Sequence, residues 1–189
     1  MSVPRSPQDF FQIFLPANVA ANVPIAAGWS SPGSLVVRVD DAAWSLRVRD
    51  GTVETAPGVA DDGILNVEMN ESVFARFVVP AAERGAQRPG AGAPQVARAL
   101  ALAPEQIDAV RALAGSITIA LRDDGEEHLL HVSPGPQPRH PASCTIRMTL
   151  ADLVDLEMGR IQPVQLLFSG QMVLEGDAQI VMGLIAALA

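Results

Sequence analysis

Residues 159–180 read GRIQPVQLLFSGQMVLEGDAQI, and the order of their breaks decides the fold at this end of the chain. Pro163 suits the first turn of a helix, where its missing N–H is no loss. It predicts a short apolar helix over Val164–Ser169, which Gly170 stops. Met172 and Leu174 then alternate with Val173, as in a brief strand. Gly176 breaks that strand, and Asp177 caps a last helix, Ala178–Ala189. Gln179 is the only polar side chain in that helix. A helix apolar all round must be buried or face another apolar partner. Its length falls far short of the roughly twenty residues needed to cross a bilayer. Three readings stay open: the helix is central to a core, it covers a bound apolar ligand, or it packs on a second subunit.

Working back from this stretch, Leu150, Leu153, Val154 and Met158 form a helical stripe that Gly159 ends. Thr149, with Asp152 three residues on, has the spacing of a capping box. Cys144, Ile146 and Met148 alternate as a strand. Pro134–Pro141 separates that strand from another near Glu127–Val132. Ile117, Ile119 and Leu121 form a further alternating set before the turn at Asp123-Asp124-Gly125. Pro104 opens a helix with Glu105 in its first turn and Gly115 as its stop.

The first half follows the same plan. Leu35, Val37 and Val39 alternate, Asp40-Asp41 turns the chain, and Trp44, Leu46 and Val48 alternate again. Asp50-Gly51 is a hairpin dipeptide. Leu65, Val67 and Met69 follow, then Asn70 as a cap, then Val73, Phe74, Phe77 and Val78 at helical spacing. Ser34 and Ser116 are 82 apart, and Met69 and Met148 are 79 apart. The near match fits a degenerate duplication, but any strand–strand–strand–helix unit would look similar, so this half is either a second copy or a part of one shared sheet. A short helix, Gln8–Leu15, is expected to end before Pro16, with Gly28–Gly33 as a connector. Pro80–Pro94 is rich in Ala, Gly, Pro and Arg without periodicity and reads as a linker or loop. Gln95–Ala103 is a candidate helix. The expected division is a strand-rich unit at 1–80, a linker at 81–104 and a second unit at 105–189.

Composition removes several function classes. The 189 residues carry a formal charge of −8, and all thirteen basic residues are Arg. Without Lys there is no P-loop lysine, Schiff base or lysine general base. An acidic chain also argues against nucleic acid and against tight binding to anionic membranes, both of which need clustered cations. The single Cys144 excludes an internal disulfide and fits a reducing, cytoplasmic setting. Phe10–Leu15 is too short and too weakly basic at its front for a secretory signal, and no run is long enough to span a membrane. The Ala, Arg, Gly and Pro bias suggests a GC-rich bacterial source. Aliphatic side chains and Met must build the core, since Tyr is absent and aromatics are few.

Gly159, Pro163, Phe168, the Ser169-Gly170 pair and Gly176-Asp177 before a terminal helix resemble the closing signature of the sterol carrier protein-2 domain family. The strand and helix over Cys144–Met158 fit that family as well, so the resemblance covers about residues 105–189. It implies an α/β fold of the α+β type. In it, a curved, mostly antiparallel sheet is covered on one face by helices and encloses an apolar tunnel for sterols, fatty acids or acyl chains. It further implies a carrier or accessory module with no cofactor rather than an enzyme. Gly159, Pro163, Gly170, Gly176 and Asp177 would serve as its structural motif. The family has Lys beside the Ser-Gly turn, where this chain has Gln171. Glu175 adds negative charge, so an acyl-CoA phosphate is a poor fit.

On the inward faces, the expected tunnel lining is Met148, Leu150, Leu153, Val154, Leu167, Phe168, Met172, Leu174, Ile180, Met182 and Leu184. Such a wall gains about 25 cal/mol for each Å² of ligand buried and selects loosely. An alternative is an interaction module that forms a homodimer through its terminal helix. A second alternative is a small enzyme using His140 and Cys144 as a base–nucleophile pair. His128 and His131 are three apart on an expected strand, hence on opposite faces, and cannot easily share a metal. No spacing asks for a metal site or a catalytic carboxylate pair.

Overall fold

A computed structural model describes residues 2–22, 28–87 and 102–188. Eight strands form one mixed sheet: β1 (Ser34–Val39), β2 (Ala42–Arg49), β3 (Thr52–Pro57), β4 (Gly63–Met69), β5 (Ile117–Asp123), β6 (Glu126–Pro134), β7 (Cys144–Thr149) and β8 (Val173–Gly176). Their order is β3-β2-β1-β4-β6-β5-β7-β8. Only β1–β4 and β5–β7 are parallel pairs; the rest run antiparallel. The class is α+β, as the resemblance implies.

Each half contributes a hairpin, a strand parallel to the hairpin's first member, and then a helix. Val39 pairs with Met69 in the first half and Leu121 with Met148 in the second. β4 pairs with β6 and joins the two halves into one sheet. Asp40, Asp50 and Asp124 sit at the hairpin turns with φ of 48°, 50° and 49°. Asp tolerates this left-handed region better than most residues, which explains why acidic residues mark the turns. β3 is absent from the sequence reading because only Val53 in it is buried, as befits an edge strand.

Among the described residues, six helical stretches accompany the sheet. In α1, Pro7–Asp9 leads into a π-helical turn, Phe10–Phe14, and then Leu15–Asn22. In α2, Glu71–Val73 leads into a π-helical turn, Phe74–Val78, and then Val79–Gln87. The others are α3 (Pro104–Ala112), α4 (Leu150–Glu157), α5 (Pro163–Ser169) and α6 (Ala178–Leu188).

Two expectations fail here for one reason. The helix does not end before Pro16, nor does Pro80 begin a loop. A proline inside an α-helix clashes with the carbonyl four residues back and lacks the N–H to bond it. In both stretches a wider turn precedes the proline, with Leu15 N–H donating to the Phe10 carbonyl and Val79 N–H to the Phe74 carbonyl. The helix therefore carries on past Pro16 to Asn22 and past Pro80 to Gln87, into the expected linker. Most of the candidate helix over Gln95–Ala103 lies outside the described residues.

The main core forms where α1 and α2 meet the sheet. Phe10 and Phe11 pack on Phe74 with centroids 5.3 and 5.8 Å apart, and Phe11 stacks on Trp44 at 5.0 Å. Leu46, Val48, Met69, Leu121, Met148 and Leu166 extend this cluster across the sheet. Burial of each such side chain contributes about 1.5–3 kcal/mol. Asn70 caps α2 by accepting from Val73 N–H at 2.8 Å. Thr149 and Asp152 form the expected capping box on α4, with bonds of 3.1 and 3.2 Å. Arg84 on α2 bridges to Glu157 on α4 at 2.7 Å, and Arg76 reaches Asp123 at 2.9 Å, which ties the two halves together.

Candidate functional site

The helix-covered face of the sheet holds not one core but several adjoining ones. The main cluster lies under α1, α2, α4 and α5. A second, around Leu65, Ile107, Val110 and Ala187, lies under α3 and α6. A third, of Ile117, Cys144, Ile180 and Val181, lies under α6. Ile119 and Ile146 touch both the first and the third cluster, and Leu35 touches the first and second. These bridging side chains are only half-buried.

Strand register turns the bridging residues into a line. Leu130 pairs with Ile119, Ile119 with Ile146, and Ile146 with Leu174. All four face the helices and all four are half-buried. With strands spaced about 4.8 Å apart, the row is roughly 14 Å long. It forms an aliphatic seam across β6, β5, β7 and β8, with α2, α4 and α5 on one side and α3 and α6 on the other.

The expected lining residues divide into three groups. Met148 and Met172 are buried in the main cluster, with Leu150 and Leu153 half-buried against it; Val154 is half-buried on the same helix. Ile180 is buried on the opposite bank, with Leu174 and Leu184 packed beside it. Leu167, Phe168 and Met182 instead face outward, at 41%, 90% and 62% exposure. The neighbour Leu166, passed over in the sequence, is the fully buried anchor of α5. In a seven-residue helix carrying Val164, Leu166, Leu167 and Phe168, hydrophobic spacing alone defines no single face. Ile119 and Ile146, read from sequence as ordinary inward strand residues, are the ones at the centre of the seam.

The motif residues do what their types require. Pro163 begins α5, and Gly170 ends it with φ 73°. Asp177 accepts from Gln179 N–H at 2.9 Å and caps α6. Gly159 and Gly176 hold positive φ at 66° and 96°. At Gly176 a Cβ would strike the Ser143 carbonyl oxygen. Gly183 lets α6 approach Leu113 just beyond α3.

His140 and Cys144 do not form a pair. Cys144 is buried with Ile117 and Ile180 on the helix-covered face. Burial pushes its thiol pKa up, as does the Asp177 carboxylate, and so disfavours the thiolate. His140 lies on the other face, stacked on His131 and 3.5 Å from Glu68. His140 belongs to the loop before β7, whose course carries it to the face opposite Cys144. His128 and His131 are likewise on opposite faces. His128 packs edge-on against Phe77 with its Nε2 unbonded, while His131 lies under the 135–143 loop. Among the described residues no cluster of three His, Cys, Asp or Glu side chains could hold a metal.

Two clefts of about 390 and 190 Å³ lie outside the row itself, although Met148 beside the row also lines the smaller. The larger is lined by Gln12, Ser45, Arg47, Glu54 and Thr55 among others, the smaller by Arg122, Glu127, Arg147 and Glu175 among others. Arg147 bonds Glu175 and Glu127, which raise its pKa further, so the smaller cleft is occupied by satisfied charges.

The described residues thus hold a half-buried aliphatic row on the sheet, flanked on both sides by helices. Residues 96–189 match the SCP-2 sterol transfer family. The C-terminal half of the chain, with β5–β8 and α3–α6, belongs to that family. Among solved structures, the chain is similar to one described as "UbiJ-SCP2 Ubiquinone synthesis protein", at 18% identity and a TM-score of 0.34. That similarity covers 58% of this chain and 94% of the other. No curated protein matches. No described helix is long and apolar enough to cross a membrane.

Proposed function

We propose that this protein binds an apolar lipid non-catalytically and reversibly along the seam. The row Leu130–Ile119–Ile146–Leu174 carries the reading: aligned aliphatic side chains left half-buried between two helical banks. Met148, Leu150, Leu153, Val154 and Met172 form one bank; Ile180 and Leu184 form the other. A fatty acid, a sterol or a comparable lipid would complete their burial at about 25 cal/mol per Å². Helix movement would turn the seam into a tunnel. The site offers shape and apolar contact without clustered cations, so selectivity is loose and phosphate-bearing acyl carriers are disfavoured. One buried thiol fits a cytoplasmic setting.

Displacement of a fluorescent fatty acid, together with native mass spectrometry of gently purified protein, tests the proposal. Bound lipid and saturable displacement are expected, and both should be lost in Ile146→Trp, which fills the row. No bound lipid and no displacement in the unmodified protein would reject it. A second reading, self-association through α6, draws on Met182 and Ile185, which point outward at 62% and 55% exposure. Sedimentation of a Met182→Ser, Ile185→Ser double variant separates the two, because only self-association depends on these outward side chains.

A further inference from the structure

α5 is fastened and exposed at once. Leu166 is fully buried in the main cluster, and Met172 N–H donates to the Leu166 carbonyl at 3.0 Å, which locks the turn that follows. On the opposite side Val164, Leu167 and Phe168 stand at 48%, 41% and 90% exposure. Their spacing of three and four residues places them on one helical face. A side chain as large as Phe, held almost wholly in water on a fixed helix, is an arrangement that folding alone would not favour.

Charge narrows what this face can meet. Residues 161–174 contain no charged side chain, although the chain as a whole carries −8. Gln162, Gln165, Ser169 and Gln171 make up the polar remainder. The charges tied to this segment are already engaged: Arg160 with Asp155 at 3.0 Å, and Asp152 with Thr149 and Gln171. A charged protein partner would find nothing to pair with, and an anionic bilayer would be repelled by the surrounding acidic surface. Area argues against a second copy. Three side chains on a seven-residue helix offer a few hundred Å² at most, against about 800 Å² per partner in a stable interface. A fluid lipid surface needs neither charge nor a matching shape. It accepts a few apolar side chains between neutral headgroups, which the glutamines and serine can hydrogen-bond.

We infer that α5 is a lipid-surface contact, in which Phe168, Leu167 and Val164 insert shallowly into an uncharged or zwitterionic bilayer. The inference stands independently of the seam, since binding to a surface and holding a single lipid involve different residues. The test is flotation of the full chain with phosphatidylcholine vesicles, alone or with added phosphatidylserine. The unmodified protein should float with neutral vesicles, insensitively to salt, and less well as phosphatidylserine is added. Phe168→Ser should raise the lipid concentration for half-binding roughly tenfold or more. Its thermal midpoint should not change, because the replaced side chain is exposed. Phe168→Trp should bind like the unmodified protein and shift its emission to the blue on contact, with quenching by brominated lipid. Failure of the unmodified protein to float, or equal flotation by Phe168→Ser, would overturn the inference. So would a dimer in sedimentation that Phe168→Ser abolishes, which would assign this face to a second copy.

Discussion

His131 and His140 stack with ring centroids 4.1 Å apart and 27° between their planes. The pair fastens the 135–143 loop to the face of the sheet opposite the described helices. His131 Nε2–H donates to the Arg139 carbonyl at 2.8 Å, which leaves Nδ1 to accept from the Thr118 hydroxyl at 3.1 Å. His140 completes the arrangement against Glu68, the cross-strand neighbour of His131.

This stack makes stability depend on pH with a definite sign. Burial lowers the His131 pKa below its ordinary value near 6.5, and the neighbouring His140 lowers it further. The Arg139 carbonyl and the Glu68 carboxylate pull the other way with smaller effect. The unfolded chain therefore binds a proton more readily than the folded one, and stability is lost as pH falls through and below about 6.5. Urea midpoints measured between pH 8 and pH 5 should fall, and His131→Gln should flatten the part of that fall centred near the histidine range. An identical profile in the variant would exclude His131 as the source.

Phe74→Ala should cost about 3–5 kcal/mol, because the ring is fully buried and contacts Phe10 and Phe11 from α1. Chemical denaturation gives the value. The loss should be cooperative across the whole sheet, since the same cluster runs from Trp44 to Met172.

Asn70→Ala should cost about 1 kcal/mol by removing the α2 cap, and Thr149→Ala a similar amount on α4. Asn70→Asp should keep most of the stability that Asn70→Ala loses, which distinguishes a cap from general packing.

Two glycines of similar conformation should respond differently to alanine. Gly58 and Gly176 have φ of 92° and 96°. A Cβ at Gly58 meets nothing within 4 Å, so Gly58→Ala should cost only the backbone strain, about 1 kcal/mol. At Gly176 the same atom meets the Ser143 carbonyl oxygen, so Gly176→Ala must also displace the β7–β8 edge and should cost distinctly more. Thermal midpoints of the two variants compare them directly.

Cys144 should resist thiol reagents at neutral pH until the protein unfolds, because the side chain is 1% exposed and its pKa is raised. Modification at the rate of a free peptide thiol would show that α6 opens readily over the third cluster.

Much of the fold was legible because local signals agreed with one another. Asp40, Asp50 and Asp124 marked real hairpins, Asn70 and Thr149 marked real caps, and the alternation in β5–β7 marked the buried face. Where local chemistry had two outcomes, the reading failed. Pro16 and Pro80 are ordinarily helix breakers, yet a preceding π-helical turn removes the clash. The spacing of Val164 to Phe168 allowed Phe168 to face inward, whereas the core selected Leu166.

The sequence by itself determined the class of protein. The breaks at Gly159, Pro163, Gly170, Gly176 and Asp177, the apolar final helix and the absence of Lys depend on backbone geometry and composition, which act within a few residues. Tertiary structure alone decided which apolar side chains face one another. Strand register aligned Leu130, Ile119, Ile146 and Leu174, which come from four separate strands, and packing turned Phe168 to solvent. It also parted His140 from Cys144, because His140 lies in the loop before β7 and no sequence distance records which face a loop residue will reach.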